Sequence, residues 1–377
     1  MLRFLLVLVL VIYFRQSGAL ETIAKQGILY DYESQSIIFE KNADELMSPS
    51  SMSKIMTIYY VFKKINDGEL KLSDQFTVSK KAWKKGGSKM FLNVDTKVSV
   101  EDLIRGIIVQ SGNDACIAIA EGISGSEKLF AEELNFLGKE IGLKNSNFTN
   151  STGWPDPEHL TTINDLLTLT IRTIEDFPEL YHYYSEKEFT YGNIKQLNRN
   201  PMLFGDLNAD GLKTGHTSLG GYGLVASVKK NNRRLILILN GLEKNKDRSK
   251  ESERLVKIGL NQFKPINIFS KNEKILDLQV WGGKKDSIGI YSKDKISLTI
   301  PNRLKRDLSY SIKSYSPLIA PIKKDQKVAE LIIKKNNDIL KKFELYSMNE
   351  VEKMTFFSKV FYNFKYLLLG DSIFKVK

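Results

Sequence analysis

The chain has almost none of the residues that build metal sites or disulfide frameworks: one cysteine and three histidines in 377 residues. A lone thiol cannot close an internal bridge, and Cys116, set in an apolar run, reads as a small core residue. His159, His182 and His216 stand at no metal-ligand spacing such as H-x-x-x-H, and none pairs recognisably with Cys116 for thiol catalysis. Neither a metal nor a cofactor is expected. Proline is scarce, at nine residues, and no repeat or low-complexity tract is evident, which argues against a long rigid linker or a repeat array.

What is present suits a folded protein of more than one part. Apolar residues make up 42% and aromatic residues 10%, which excludes general disorder, and the length exceeds one typical core. A formal net charge of +12 raises the question of nucleic acid. The lysines are dispersed, as in Lys80-Lys81, Lys84-Lys85, Lys229-Lys230 and Lys334-Lys335, and no nucleic-acid-binding module accompanies them. A solvated lysine surface explains them, and no nucleic-acid partner is expected.

Three short strings carry the chemistry. In Ser51-Met-Ser-Lys54, Pro49 suits a helix start, and Ile55, Met56, Tyr59, Phe62 and Ile65 repeat at helical spacing, so Ser51 opens a helix. Three residues on, Lys54 returns to the face of Ser51, within hydrogen-bond reach. To accept the serine proton Lys54 must be neutral, which calls for burial and a nearby cation, with Lys213 the candidate. The same Ser–Lys spacing recurs at Ser227, Ser292 and Ser372, so this string gains meaning only from the other two.

Ser111-Gly-Asn113 falls between two apolar helical runs, a buried corner where Ser111 can pass a proton and the Asn113 amide can hold a substrate carbonyl. Taken alone, it reads equally well as a capped turn. Lys213-Thr-Gly215 leads through Asn231-Asn232, a hairpin turn between strands at 222–228 and 235–240, so it lies on a strand of an antiparallel sheet. A strand edge can add an extended peptide; Gly215 leaves room for its backbone, Lys213 offers a charge for a terminal carboxylate, and Thr214 adds a hydroxyl.

At this point the chain resembles the low-molecular-mass penicillin-binding proteins that act as serine D-alanyl-D-alanine carboxypeptidases. The resemblance runs through Ser88-Lys-Met-Phe-Leu92, Ser111-Gly-Asn-Asp-Ala-Cys116, Asn150-Ser-Thr-Gly153 with His159, Asn198-Arg-Asn200, Lys213-Thr-Gly-His-Thr217, Val280-Trp-Gly-Gly283 and Ala320-Pro-Ile-Lys-Lys324. It implies an α+β fold of the serine β-lactamase type, an antiparallel sheet flanked by helices, followed by a small all-β domain. It implies Ser51 as nucleophile, Lys54 as base, Ser111 and Asn113 as the second element, and Lys213, Thr214, Gly215, His216 and Thr217 on the substrate side. The oxyanion hole would be the N–H groups of Ser51 and His216. The implied substrate is the peptidoglycan pentapeptide ending in D-Ala-D-Ala, with β-lactams as acylating inhibitors. Trp154 follows Gly153 where the family more often carries a smaller apolar residue, which bears on substrate preference. An endopeptidase of wall cross-links would use the same residues. A class A β-lactamase would need a glutamate in an E-x-x-x-N string, and no glutamate between Asn113 and Lys213 has asparagine at that distance. A binding protein without turnover would have no need of both nucleophile and base.

Both ends carry membrane signals. Arg3, the apolar stretch at 4–14 and the small residues Ser17-Gly-Ala19 read as a secretory signal cleaved after Ala19, its core too short to span a bilayer comfortably. Met354, Phe357, Phe361, Phe364 and Leu368 form one helical stripe opposite Glu352, Lys359 and Asn363, and Lys353, Lys365, Lys375 and Lys377 can face anionic lipid. The expected layout is a signal at 1–19, a catalytic domain at 20–262, an all-β domain at 263–349 marked by alternation from Leu276 to Ile312, and an anchoring tail at 350–377. The protein is expected in the periplasm, peripherally attached to the outer face of the cytoplasmic membrane. Membrane phospholipid and wall polymer are the anions its basic surface would meet.

Overall fold

The computed structural model describes residues 20–304, 308–314, 317–335 and 338–369. The expected signal at 1–19 and the lysines at 375 and 377 lie outside these residues, as do the side chains of Lys359, Asn363 and Lys365. By packing, the described chain forms two compact units: residues 20–28, 39–226 and 237–253, and residues 29–38, 227–236 and 254 onward.

A five-stranded sheet organises the first part of the chain, in the order Ser36–Lys41, Gln26–Asp31, Arg233–Leu242, Gly221–Lys230, Ala209–Thr217. The last of these is an edge strand. Asn231 and Asn232 both adopt positive φ, 51° and 59°, which is what a two-residue hairpin turn requires and what asparagine tolerates. The helix Lys54–Asn66 has no outward face over its first nine residues, which are all buried. It is a central helix, so its apolar spacing marks a core on every side.

The nucleophile string departs from expectation in one respect. Ser51 does not open the α-helix; it sits in a 3₁₀ turn, Ser50–Ser53, and the α-helix begins at Lys54. The physical effect favours the site, because three residues per turn eclipse positions i and i+3 and set Lys54 directly in line with Ser51. Ser111-Gly-Asn113 is the corner between helices Val100–Ile108 and Asn113–Ser124, and all three residues are buried.

In the second unit, a six-stranded sheet runs in the order Leu308–Ser314, Lys327–Lys335, Asp338–Ser347, Ser287–Tyr291, Lys274–Trp281, Leu318–Ile319, and Phe263–Phe269 pairs antiparallel with Ile296–Pro301. Val280, Ile290, Ile296, Ile300, Leu331, Ile333 and Leu345 form its core. Tyr310, which alternates with Leu308 and Ile312, is exposed on this edge strand while those two are half-buried. The C-terminal helix starts at Phe356, later than the stripe implied. Met354 precedes it, and its N–H donates to Gly282 O at 2.9 Å.

Candidate active site

The nucleophile turn is held by three neighbours. Gly215 lets the edge strand lie against it: a Cβ there would meet Pro49 O at 2.9 Å and Ser50 Cβ at 3.2 Å. The room this glycine leaves is thus taken up by the protein's own turn. Gly153, at φ +75°, presses on the other side, where a Cβ would fall 1.9 Å from Ser50 O. The third neighbour is His159. Thr149 N donates to its Nδ1 at 3.1 Å, so Nε2 carries the proton and donates to Ser53 Oγ at 2.7 Å, which in turn donates to Ser50 O at 2.8 Å. Burial pushes His159 down to about 4, keeping it neutral.

Lys54 is fully buried, and burial, reinforced by repulsion from Arg199 and Lys85, lowers its pKa to about 8. Its Nζ lies 3.0 Å from Ser51 Oγ, 2.8 Å from Asn113 Oδ1 and 2.6 Å from Thr152 O. The last two can only accept. In a neutral amine they occupy both hydrogens, which leaves the lone pair directed at the serine hydroxyl. Lys213, expected as the cation that lowers Lys54, is itself pushed well below its usual value, by burial first and by Lys54 second.

Asn113 donates one amide hydrogen to Gly86 O at 2.9 Å, and the amide's second hydrogen is left to donate. The Ser111 hydroxyl is buried, makes no hydrogen bond to the protein, and lines the cleft beside Ser51. The next residue after this corner, Asp114, accepts from Met90 N and Leu92 N and so fixes the 88–92 segment along one wall. Asn150 accepts from Thr152 N, Thr152 Oγ1 and Trp154 N, which shapes the loop that brings Thr152 O to the lysine.

The cleft, about 260 Å³, is lined by Ser51, Ser111, Thr214, Gly215 and His216 from the sequence reading, with Ser88, Arg199, Tyr222, Asn245 and Arg248. Lys213 and Thr217 do not line it. Lys213 is buried, its Nζ donating to Thr214 O at 3.3 Å, and Thr217 Oγ1 pairs with Ser50 Oγ and accepts from Gly220 N. The charge that faces the cleft comes from two guanidiniums. Arg199 donates to Ser88 Oγ; Arg248 donates to Asn245 Oδ1 at 2.7 Å and lies 5.6 Å from the Tyr222 ring, which stacks on His216. Burial, together with Arg199, lowers Arg248 to about 10, still cationic at neutral pH. A buried guanidinium, Arg248, and an exposed one, Arg199, on the same cleft define a place for an anion. Arg199 stood within a quoted motif but without a role, and Arg248 lies in no motif. Nothing in the sequence marks its fourth position along Asn245–Gln262 as turned to the site.

Cys116 is buried and pushed up to about 12 by that burial, so it is inert. Among the described residues no group of three or more His, Cys, Asp or Glu is placed to hold a metal.

This geometry has relatives. The sequence matches the D-alanyl-D-alanine carboxypeptidase family over residues 14–243 and the C-terminal domain of penicillin-binding protein 5 over residues 263–353. It is 38% identical over 345 residues to the D-alanyl-D-alanine carboxypeptidase DacC of Escherichia coli, covering 89% of this chain and 86% of that one. The solved structure of penicillin-binding protein 5 from Haemophilus influenzae superposes with a TM-score of 0.82 at 36% identity, covering 89% of this chain and 99% of that one. A penicillin-binding protein D2 from Listeria monocytogenes in an ampicillin-bound form is similar at a TM-score of 0.59 and 25% identity, covering 65% of this chain and all of that one. With a family match over residues 14–243 and relatives of this identity and coverage, the chain belongs to the D-alanyl-D-alanine carboxypeptidase family.

Proposed function

We infer that the protein is a serine D,D-carboxypeptidase that removes the terminal D-alanine from peptidoglycan pentapeptide stems and is acylated by β-lactams. The observation that carries this is the Lys54 amine, whose two hydrogens are committed to Asn113 Oδ1 and Thr152 O while its lone pair meets Ser51. Lys54 takes the Ser51 proton as Oγ attacks the penultimate carbonyl, whose oxygen is placed by the resemblance between the N–H groups of Ser51 and His216. The carbon–nitrogen bond breaks, and the leaving amine collects the proton from Lys54 through the Ser111 hydroxyl. Arg199 and Arg248 hold the departing carboxylate, with Thr214 beside it. Water then attacks the acyl-serine and restores the site.

Incubating the protein with a D-Ala-D-Ala pentapeptide should release free D-alanine, and Ser51→Ala should lower that release by at least about a thousandfold. Equal release by both would reject the assignment.

The location follows the same reading. Export into the periplasm is supported by the apolar stretch at 4–14 with Ser17-Gly-Ala19, and attachment to the outer face of the cytoplasmic membrane by the apolar stripe near the C-terminus. Mass spectrometry of the mature protein should find its N-terminus at Leu20; retention of residues 1–19 would overturn the export reading.

A further inference from the structure

Beside Asn113 stand Gly86, Gly87 and the indole of Trp154, which is 42% exposed. A Cβ on Gly87 would lie 2.8 Å from Asn113 Nδ2 and 3.0 Å from Trp154 Cζ3, so the indole edge stands about one side chain away from the amide that receives the substrate carbonyl. The backbone that carries the indole is tied to the catalytic amine. Trp154 N donates to Asn150 Oδ1 at 3.0 Å and to Thr152 Oγ1 at 3.1 Å, and the carbonyl of that same Thr152 accepts from Lys54. Over the ring lies Lys85, its Nζ 4.3 Å from the centroid. Among the described residues Lys85 has no carboxylate partner. The neighbouring acid, Glu127, is taken by Lys81 at 2.9 Å and by Ser151 at 3.0 Å.

An ammonium resting on an indole at the rim of a peptide cleft offers two things at once: a flat apolar surface and an unspent positive charge. A substrate with its terminal carboxylate at the arginines and its acyl carbonyl at Asn113 must carry its next residue past Gly86 and Gly87. At these glycines the missing side chains let Asn113 and Trp154 stand close together, so that path runs along the exposed indole. We propose that Trp154 and Lys85 form a subsite for the side chain of the residue preceding the two terminal alanines, selective for an apolar stem that ends in a carboxylate. This rests on the peptidase reading above and adds to it the class of side chain preferred. An amine-ended side chain meets Lys85 as a like charge and is disfavoured.

The test uses acylated tripeptides X-D-Ala-D-Ala in which X ends in a carboxylate, in the corresponding neutral amide, or in an amine, with D-alanine release as readout. The full-length protein should prefer the carboxylate over the amine by about fivefold or more in kcat/KM, the scale of a partly exposed charge pair. Lys85→Glu should invert that order and Lys85→Met should bring the three peptides close together. Because the ratio compares substrates on one enzyme, any effect of the substitution on Lys54 cancels. Trp154→Ala should cost the long-stemmed peptides more than one with glycine at X. Equal rates for all three peptides on the wild type, or a ratio unmoved by Lys85→Glu, would overturn the subsite and leave the peptidase intact. No D-alanine from any peptide would reject the peptidase reading itself, and the subsite with it.

Discussion

A lysine works as a base only in the fraction that has lost its proton, and Lys54 achieves this by having nowhere to put a charge. Burial is the first cause of its lowered pKa, about 8, with Arg199 and Lys85 next. About a tenth of the amine is then neutral at pH 7, against less than a thousandth for a free lysine. Acylation of Ser51 by a penicillin should therefore rise with pH, close to tenfold per unit below 8, and level off above it. Removing a repelling cation with Arg199→Ala should move that limb to higher pH. Stopped-flow acylation across pH 6 to 10 measures both, and a limb unmoved by the variant would show that Arg199 exerts no field on the amine. At this scale the sequence was legible wherever local geometry decides: a serine and lysine three apart can meet because the turn that holds them is short-range. Lys213 and Arg248 were not legible in the same way. Which cation faces a cleft is set by packing of the edge strand and the Asn245–Gln262 helix, and no spacing rule reports it.

At the scale of elements, the 3₁₀ turn carrying Ser51 is kept in place by the relay from His159 through Ser53 Oγ to Ser50 O. The relay needs a neutral ring with an acceptor Nδ1. A proton there would set a second N–H against Thr149 N–H. The folded pKa, about 4, lies below the unfolded value near 6.5, so the unfolded chain binds the proton more readily in between. Stability is unaffected above pH 6.5, falls as pH drops from 6.5 toward 4, and the total loss is roughly 3 kcal/mol. His159→Gln, which takes up no proton, should remove most of this loss. Urea unfolding at pH 7 and pH 4.5 gives the comparison; an equal acid loss in both proteins would show that the ring does not titrate against folding. Sequence spacing located the hairpin at Asn231-Asn232 and the buried corner at Ser111 because both are signalled by a few adjacent residues. It could not show that Tyr310 faces water, since edge or centre is a property of the finished sheet.

At the scale of the whole molecule, the unresolved question of attachment comes down to one helix. Phe356–Leu369 is 14 residues, about 21 Å long, too short to cross a bilayer core of about 30 Å. Phe356, Phe357, Val360, Phe361, Phe364, Leu367 and Leu368 are all exposed. At 100° per residue they fall within about 140° of arc, whereas Tyr366 points the other way and packs edge-on against Trp281, ring centroids 4.8 Å apart. A helix that turns its tyrosine to the protein and its phenylalanines to solvent supports the proposal that it lies in a lipid interface. The sequence showed the stripe but set its start too early, because Met354 continues the stripe's spacing and Glu352 that of the opposite face, while both are engaged, with Gly282 and Lys284, ahead of the helix. The full chain should sediment with anionic phospholipid vesicles, less so as salt screens its lysines. A chain ending at Glu350 should stay in the supernatant yet still form a penicillin adduct, since Ser51 and every residue of its cleft lie in the other unit. Sedimentation that survives the truncation would place the lipid contact elsewhere on the basic surface, and Phe357→Glu with Phe361→Glu separates the two cases by removing the stripe without removing the helix.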